Sequence, residues 1–537
     1  MIIDGRMINV SNRLPVSLRK YAGGYRLERS SGGLATALDS AWSRQPGIWI
    51  GWAGNSTAKQ PVDVLLARAS RRRPYTLQPV ELSEEEVAKF YSGFANEIIW
   101  PLFHDMPSRC NFDPEYWETY QKVNRRYAQE VEKTAKFEDF IWVHDYHLML
   151  TAHYMREAGI KSRNGFFLHI PFPAPDVFEK LPWRDSILRG LLDFDVVGFQ
   201  TDRDRNNFIS CVQHLLPQVS IEAASPHVRA RLQDRQATIG VFPISIDFDE
   251  FATQAARSDV AARCAEIRDR LPGNLVVLGV DRMDYTKGIP ERLKSFRILL
   301  RRFPELRGQI TLVQVVVPSR EEIPDYKDLR LEVELLVSQI NGEFTQPGWV
   351  PIHYMHRNLN RHELLAYYRA ADIALITPLK DGMNLVAKEF CAAQVDERGV
   401  LIVSEFAGAA SELRHGAILV NPNDFNEVAQ AIHTAAGMAP EEKRSRMQLL
   451  SQIVKEHNVQ RWTRSFLQAA ASTRVTPTVS TSGSSSTSER IAAAGPPDET
   501  PGVALVASAV PSPAILNSRL TWGSRFPRSL GTASGDD

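Results

Sequence analysis

The chain has only four cysteines in 537 residues, and Cys110, Cys211, Cys264 and Cys391 are far apart, none at C-x-x-C spacing. That counts against a disulfide scaffold and a zinc site and fits a reducing compartment. Long hydrophobic runs are also missing: no stretch approaches the roughly 18 apolar residues that a membrane-spanning helix needs. The opening MIIDGRMINVSNR has no long apolar core, so no secretory signal is expected, and the expected location is cytoplasmic. Nor is there an excess of either charge, since Lys+Arg is 63 and Asp+Glu is 63. Such a balance gives no global reason to bind nucleic acid or an anionic membrane, so any phosphate site must come from a local cluster.

What is present is a succession of short apolar runs. FIWVHD (140–145), NGFFLHI (164–170), DVVGFQ (195–200), NLVVLGV (274–280), ITLVQVVV (310–317), IALITP (373–378) and GVLIVS (399–404) are each brief, β-branched or aromatic, and followed by a polar turn. Buried parallel strands have this texture because helices cover both faces of their sheet. Helical patterns such as PERLKSFRILLRRFPEL (290–306) and KDLRLEVELLVSQING (327–342) lie between them. The expected fold class is therefore α/β. The length exceeds one core and predicts two doubly wound halves, 1–243 and 244–455, with the boundary in GVFPISID near Pro243–Ile246. From about Ser472 the composition shifts to Ser, Thr, Pro, Gly and Ala. Residues 474–537 are expected to be disordered, because they cannot bury enough apolar surface to offset the entropy of ordering.

Open α/β sheets bind ligands at the carboxyl ends of their strands, and chemistry-bearing residues recur there. VHDYH places His144, Asp145 and His147 after one run, LHIPFP places His169 after the next, and DRMDYTKG places Arg282 and Lys287 after a third. VVVPSR adds Arg320, and TPLKDGMNLVAKE adds Asp381 and Glu389 around Gly382. Five such positions predict a cleft. Two glycine turns, SSGGLATALDSAW with Gly33 and KDGMNLVAKEFCAA with Gly382, lead into helices, whose free N–H groups favour phosphate. Neither matches G-x-G-x-x-G or the P-loop pattern, which disfavours nicotinamide enzymes and P-loop kinases. Each residue keeps a structural alternative. His169 within its apolar segment is also a candidate core histidine, and His144, Asp145 and His147 need not converge on a metal, because neighbours on a strand face opposite ways. Trp100 in FANEIIWPLFH serves packing or stacks on a sugar face, and Arg13 in VSNRLP is by default a surface arginine.

Taken together, VSNRLP, SGGLA, WIGWAG, WPLFH, WVHDYHL, FFLHIPFP, GFQT, PISID, DRMDYTKG, PSR, TPLKDGMNLVAKE and FAGAASEL, in this order from about Met7 to Phe466, resemble the trehalose-6-phosphate synthase family. These are retaining glycosyltransferases with two facing Rossmann-like domains (GT-B type) and a cleft between them. The resemblance implies transfer of glucose from a nucleotide-glucose, UDP-glucose by default with ADP- and GDP-glucose open, to glucose 6-phosphate. It implies no metal or other cofactor. On this resemblance Arg282 and Lys287 hold the donor diphosphate, and Gly33 approaches it with its backbone. Asp381, Gly382, Met383 and Asn384 bind the transferred glucose, and His169 meets its 6-hydroxyl. Glu389 takes the ribose, with Leu385 and Val386 near the nucleotide. Arg13, Tyr91 and Arg320 hold the acceptor phosphate, Trp100 and Asp145 bind the acceptor sugar, and Trp52 lies close by. Arg282, Lys287, His169 and Asp381 are the expected catalytic group. A helix over 456–473 is expected to return to the first domain.

No aspartate motif of a fused phosphatase appears, so only the synthase step is expected. The loop VSLRKYAGGYRLERS is longer than in compact bacterial members and is a candidate lid, its cations Arg19, Lys20, Arg26 and Arg29 facing substrate or solvent. Two rivals remain: a synthase using another phosphorylated acceptor, such as glycerol 3-phosphate, and an inactive sugar-phosphate sensor. The motifs SNR and HDYHL favour the trehalose branch over the first. The intact cations Arg13, Arg282, Lys287 and Arg320 argue against the second. A homo-oligomer is compatible with the sequence, which does not specify one.

Overall fold

The structure is a computed structural model that describes residues 5–472, apart from 22–23, 30–32, 43–45, 55–61, 234, 272, 274 and 321–322; the side chains of 20, 24, 29 and 33–36 are likewise not described. The 474–537 segment expected to be disordered, and Gly32 and the side chains of Lys20 and Arg29 in the candidate lid, lie outside the described residues.

In the first half the strands are β1 (Met7–Arg13), the hairpin strands β2 (Val16–Tyr21) and β3 (Gly24–Arg29), β4 (Gly47–Trp52), β5 (Tyr75–Pro79), β6 (Phe140–His144), β7 (Arg163–Phe167), β8 (Val196–Phe199), β9 (Ser220–Ala224), β10 (His227–Leu232) and β11 (Arg235–Val241). The second half carries β12 (Leu275–Arg282), β13 (Ile310–Val317), β14 (Ile352–His356), β15 (Ile373–Ile376), β16 (Val400–Ser404) and β17 (Ile418–Val420). One sheet has the order β5-β4-β1-β6-β7-β8-β11-β10-β9 and the other β14-β13-β12-β15-β16-β17. The first is parallel from β5 to β11, with β10 and β9 added antiparallel, and the second is parallel throughout. The near-continuous apolar runs follow from burial on both faces: all five residues of β6 and all but the ends of β12 are buried.

The core of each sheet has the doubly wound strand order 3-2-1-4-5-6, counting β1, β4, β5, β6, β7 and β8 in one and β12 to β17 in the other. In such a sheet the winding reverses between the first and fourth strands, and the crevice at that reversal receives the ligand. Here the reversals fall between β1 and β6 and between β12 and β15. Those strands end at Arg13, at His144, at Arg282 and just before Asp381, so topology alone brings these residues to the two crevices.

The chain passes between the halves twice. It leaves after β11 through residues 242–247 and returns at His457–Val459, just before the helix Val459–Ser472. The two crossings are tied together: Val459 N–H donates to Ile246 O at 3.0 Å. Buried Lys388 donates to Ile244 O at 2.8 Å and pairs with Glu412, which also accepts from His457 Nδ1 at 2.9 Å. The returning helix then seats on the first sheet. Phe466 stacks on Trp142 with centroids 4.3 Å apart and planes 8° apart. Gly165 of β7 and Gly198 of β8 make room for it, because a Cβ on either would sit 2.8 Å from the Phe466 ring.

This fit predicts that Phe466→Ala destabilises the protein by about 3–5 kcal/mol, through lost burial and the cavity left behind. Urea denaturation of the variant measures it, and a change within the error of the experiment would mean that the helix is not clamped there.

Candidate functional site

The second half ends β12 at Arg282 and turns through Asp284 into a short helical turn, Tyr285–Lys287. Gly288 follows with φ 63°, and a Cβ there would meet Thr377 O at 2.4 Å. The turn is therefore pressed against the end of β15, which aims Lys287 at the next loop. Lys287 Nζ donates to Asp381 Oδ2 at 2.6 Å. The other Asp381 oxygen accepts from Met383 N–H at 3.1 Å, and Asn384 Nδ2 reaches Oδ2 at 3.2 Å. Burial alone would push the Asp381 carboxyl up, but Lys287 more than offsets this and holds it below the usual carboxylate range. Asn384 adopts φ 65° and caps the helix Leu385–Ala393, accepting from Ala387 N–H at 3.2 Å. One helix thus carries Leu385, Val386 and Glu389 behind the capped loop. Glu389 accepts from Tyr368 Oη at 2.8 Å, and burial raises its pKa.

The loop 381–384 meets the first half by backbone contact. A Cβ on Gly382 would lie 2.4 Å from His169 O, so only glycine allows this approach. His169 is buried, and its Nε2 lies 3.2 Å from His144 Nδ1. Burial holds His169 at a pKa of about 3 and His144 well below the ordinary histidine value, so both are neutral at physiological pH. Asp145 adopts φ 75°, and its Oδ1 accepts from His169 N–H at 3.3 Å. Burial pushes its carboxyl up to about 7.

Farther along the same seam lie the remaining cations. The Arg320 guanidinium covers the Trp100 ring at 4.1 Å and donates to Asp284 at 3.4 Å, to Tyr326 Oη and to Tyr146 Oη at 3.3 Å. Arg282 lies 5.6 Å from the same indole and 3.9 Å from Asp284. Its side chain is 46% exposed, so the charge faces outward and is only weakly held. Arg13, at the end of β1, lies over Trp52 at 4.7 Å and over Tyr91 at 5.1 Å. Tyr91 stacks on His147 at 5.8 Å, with planes 10° apart. Burial raises the Tyr91 hydroxyl, yet Arg320, Arg13 and Arg282 together bring it below its ordinary value. That tyrosine therefore senses cations from both halves.

The structure thus brings two groups together: Arg13, Trp52, Tyr91, Trp100, Arg282 and Arg320 in one, and His169, Asp145, Lys287, Asp381, Gly382, Met383 and Asn384 in the other. Gly33 opens the helix Gly33–Trp42 at the edge of the described region. His144, Asp145 and His147 do not converge: His144 joins His169, and His147 turns to Tyr91. Among the described residues no group of three or more His, Cys, Asp or Glu is arranged to hold a metal ion. No described helix is long and apolar enough to cross a membrane.

Several residues went unassigned in the sequence. Asp284 lies inside DRMDYTKG, an acid in a cluster of cations, and it faces Arg320 at 3.4 Å and Arg282 at 3.9 Å. Tyr146 gave no local signal, because its contact with Arg320 spans 174 residues; Tyr326, 6 residues from Arg320, stood in no motif; and His144 was marked by VHDYH, but its partner His169 lies 25 residues on. His104 donates from Nδ1 to Trp100 O at 2.7 Å and fixes the end of the helical turn that carries the indole.

Three comparisons bear on this geometry. Residues 5–472 match the model of glycosyltransferase family 20. A trehalose-6-phosphate synthase of Mycobacterium leprae is 42% identical over 475 residues, 87% of this chain and 95% of that protein. The UDP-forming alpha,alpha-trehalose-phosphate synthase A of Dictyostelium discoideum is 40% identical over 87% of this chain, which spans 62% of the Dictyostelium protein's length. Among solved structures, a UDP-forming alpha,alpha-trehalose-phosphate synthase from Burkholderia xenovorans in complex with glucose-6-phosphate superposes with a TM-score of 0.79 at 34% identity, covering 87% of this chain and 100% of that one. An E. coli structure bound with UDP-2-fluoro glucose gives 0.76 at 34% identity, covering 87% and 99%.

The raised Asp145 pKa has a thermodynamic consequence. A folded pKa above the unfolded value of 3.8 means that the folded protein holds this proton more tightly. Its stabilisation is complete below about pH 4 and is lost as pH rises through about 7. Asp145→Asn cannot lose a proton, so its melting temperature should gain on wild type from about pH 4 to about pH 7 and level off above that. Parallel curves across that range would contradict the assignment.

Proposed function

Because the chain belongs to glycosyltransferase family 20, we propose that it transfers glucose from UDP-glucose to glucose 6-phosphate, forming alpha,alpha-trehalose 6-phosphate with retention of configuration. The observation that carries this is the convergence of cations from both halves on one seam: Arg13 from the first sheet, and Arg282, Lys287 and Arg320 from the second. A donor diphosphate and an acceptor phosphate are two polyanions, and the seam supplies two sets of cations for them.

Arg282 and Lys287 meet the diphosphate. Its charge grows as the glycosidic bond breaks, so these cations act most strongly in the transition state. Asp381 is held by Lys287, Asn384 and the Met383 N–H, and Glu389 by Tyr368. Neither carboxylate is free to act as a nucleophile, which fits hydroxyl-binding roles, with Asp381 on the transferred glucose and Glu389 on the ribose. Retention then follows from attack on the face that the diphosphate leaves, with a leaving phosphate oxygen taking the acceptor proton. Arg13, Tyr91 and Arg320 take the acceptor phosphate, while Trp100 and Asp145 bind its sugar. Arginine suits the first task because its planar fork meets phosphate oxygens in pairs.

The direct test is product analysis with purified protein, using UDP-, ADP- and GDP-glucose against glucose 6-phosphate, glycerol 3-phosphate and glucose. Trehalose 6-phosphate from UDP-glucose is the expected product, and equal use of glucose and glucose 6-phosphate would refute the proposal. Arg282→Ala is the cleaner donor-side variant, since Lys287→Ala would leave Asp381 buried without its partner. It should lower kcat about ten- to a hundredfold, the worth of one charge-assisted hydrogen bond, with an unchanged melting temperature. Arg13→Ala should raise KM for glucose 6-phosphate by a similar factor and leave the donor KM nearly unchanged. Steady-state kinetics in both substrates distinguishes the two.

A further inference from the structure

We propose that His144 is a positioning residue that sets the tautomer of His169, and so makes the sugar-facing nitrogen of His169 a hydrogen-bond donor. The proposal rests on the assignment of His169 to the 6-hydroxyl of the transferred glucose.

His144 and His169 are 0% and 1% exposed, and His144 Nδ1 lies 3.2 Å from His169 Nε2. Two neutral imidazoles sharing one hydrogen bond have one proton between them. Either His144 donates and His169 carries its hydrogen on Nδ1, or His169 donates and its Nδ1 is a bare acceptor. The remaining nitrogens, His144 Nε2 and His169 Nδ1, are both buried without a protein partner.

The surroundings of His144 decide between the two. The rings of Trp42 and Trp142 lie 6.5 and 4.9 Å from its own, and that of Trp462 lies beside both histidines, 6.3 Å from His144 and 6.2 Å from His169. All three indole nitrogens are buried and unpartnered, and an indole nitrogen only donates. Asn9, paired with Trp142 across β1 and β6, adds an amide that takes either role. Two of these donors belong to rings on the His144 side, and the imidazole with more donors around it is favoured as the acceptor. His144 Nε2 is therefore the bare nitrogen, and its hydrogen sits on Nδ1 and is donated to His169. His169 is left with Nδ1–H as its free group, a donor suited to a hydroxyl oxygen.

The test compares His144→Asn with His144→Leu in the full chain. The two side chains have nearly the same shape, and only asparagine offers an N–H at the Nδ1 position. The readout is the ratio of kcat/KM for UDP-glucose to that for UDP-6-deoxyglucose, which lacks the hydroxyl. Wild type and His144→Asn should prefer UDP-glucose by about tenfold, one hydrogen bond's worth. His144→Leu should fall toward the ratio of His169→Ala, with the KM for glucose 6-phosphate unchanged. If His169→Ala removes the preference and His144→Leu keeps it, the positioning role is refuted while the site assignment stands. If His169→Ala keeps the preference, the assignment of His169 to the 6-hydroxyl fails, and the proposal with it. Should His144→Leu not fold, ¹⁵N chemical shifts of the imidazoles in the wild-type chain decide directly: a protonated His169 Nδ1 supports the proposal, and a protonated Nε2 overturns it.

Discussion

Burying the Arg320 charge is the constraint around which the seam is built. An arginine this enclosed, with its side chain 6% exposed, must have its N–H groups satisfied within the protein. Its partners come from both halves: Asp284 and Tyr326 from the second, Tyr146 and the face of Trp100 from the first. Asp284, itself fully buried, is kept charged by Arg320, Lys287 and Arg282 against the opposing effect of burial. Arg320 also holds φ 51°, a left-handed conformation that a side chain of this size rarely adopts. Such strain persists only where the surroundings over-determine it, and here those surroundings are the facing ends of two sheets. Around this anchor the seam closes with Arg109–Asp325 at 2.6 Å, Lys380 with Asp105, and the backbone contact of Gly382 with His169.

The α/β class was legible because strands buried on both faces are apolar at nearly every position, as in FIWVH and LVVLGV. The loop between Arg13 and Gly32, read as a candidate lid, contains the hairpin β2–β3, with Leu18 N–H bonded to Ala53 O at 2.9 Å. Its alternation, VSLRKY against YRLERS, is the two-faced pattern of a hairpin. Of these, Arg19 and Arg26 both pair with Glu28 of the same hairpin. The sheet order was not readable from composition. It follows from long-range pairing, although the residues at the strand ends marked the two winding reversals in advance.

In the site, single residues were legible and partnerships were not. Arg282, Lys287, His169 and Asp381 were each visible as polar groups following an apolar run. The resemblance placed Lys287 on the diphosphate and Asp381 on the sugar, and nothing in either motif indicated that the two pair across 94 residues at 2.6 Å. The core-histidine alternative for His169 also holds in part, since it is hydrogen-bonded inside the core through His144 and still borders the loop of Gly382. Local sequence records what a residue can do. Which group neutralises it depends on which strand ends the topology brings together.

That pairing bears on how the site handles charge. A lone lysine buried as deeply as Lys287 would pay a large desolvation cost, and a lone aspartate such as Asp381 would protonate. Held against Lys287, Asp381 keeps its pKa below the usual carboxylate range. On the proposed function, a diphosphate arriving at Lys287 would enter a place where the cation is already desolvated and oriented, so little reorganisation would be needed as charge develops on the leaving group. Arg282 is the opposite case, half exposed and loosely held over Trp100, free to follow an incoming polyanion. One cation fixed by an internal carboxylate and one free to move give the seam both orientation and reach. The acids of the site, Asp284 under Arg320 and Asp381 under Lys287, keep these cations in place, and the proposed function leaves phosphate and diphosphate to the cations that they hold.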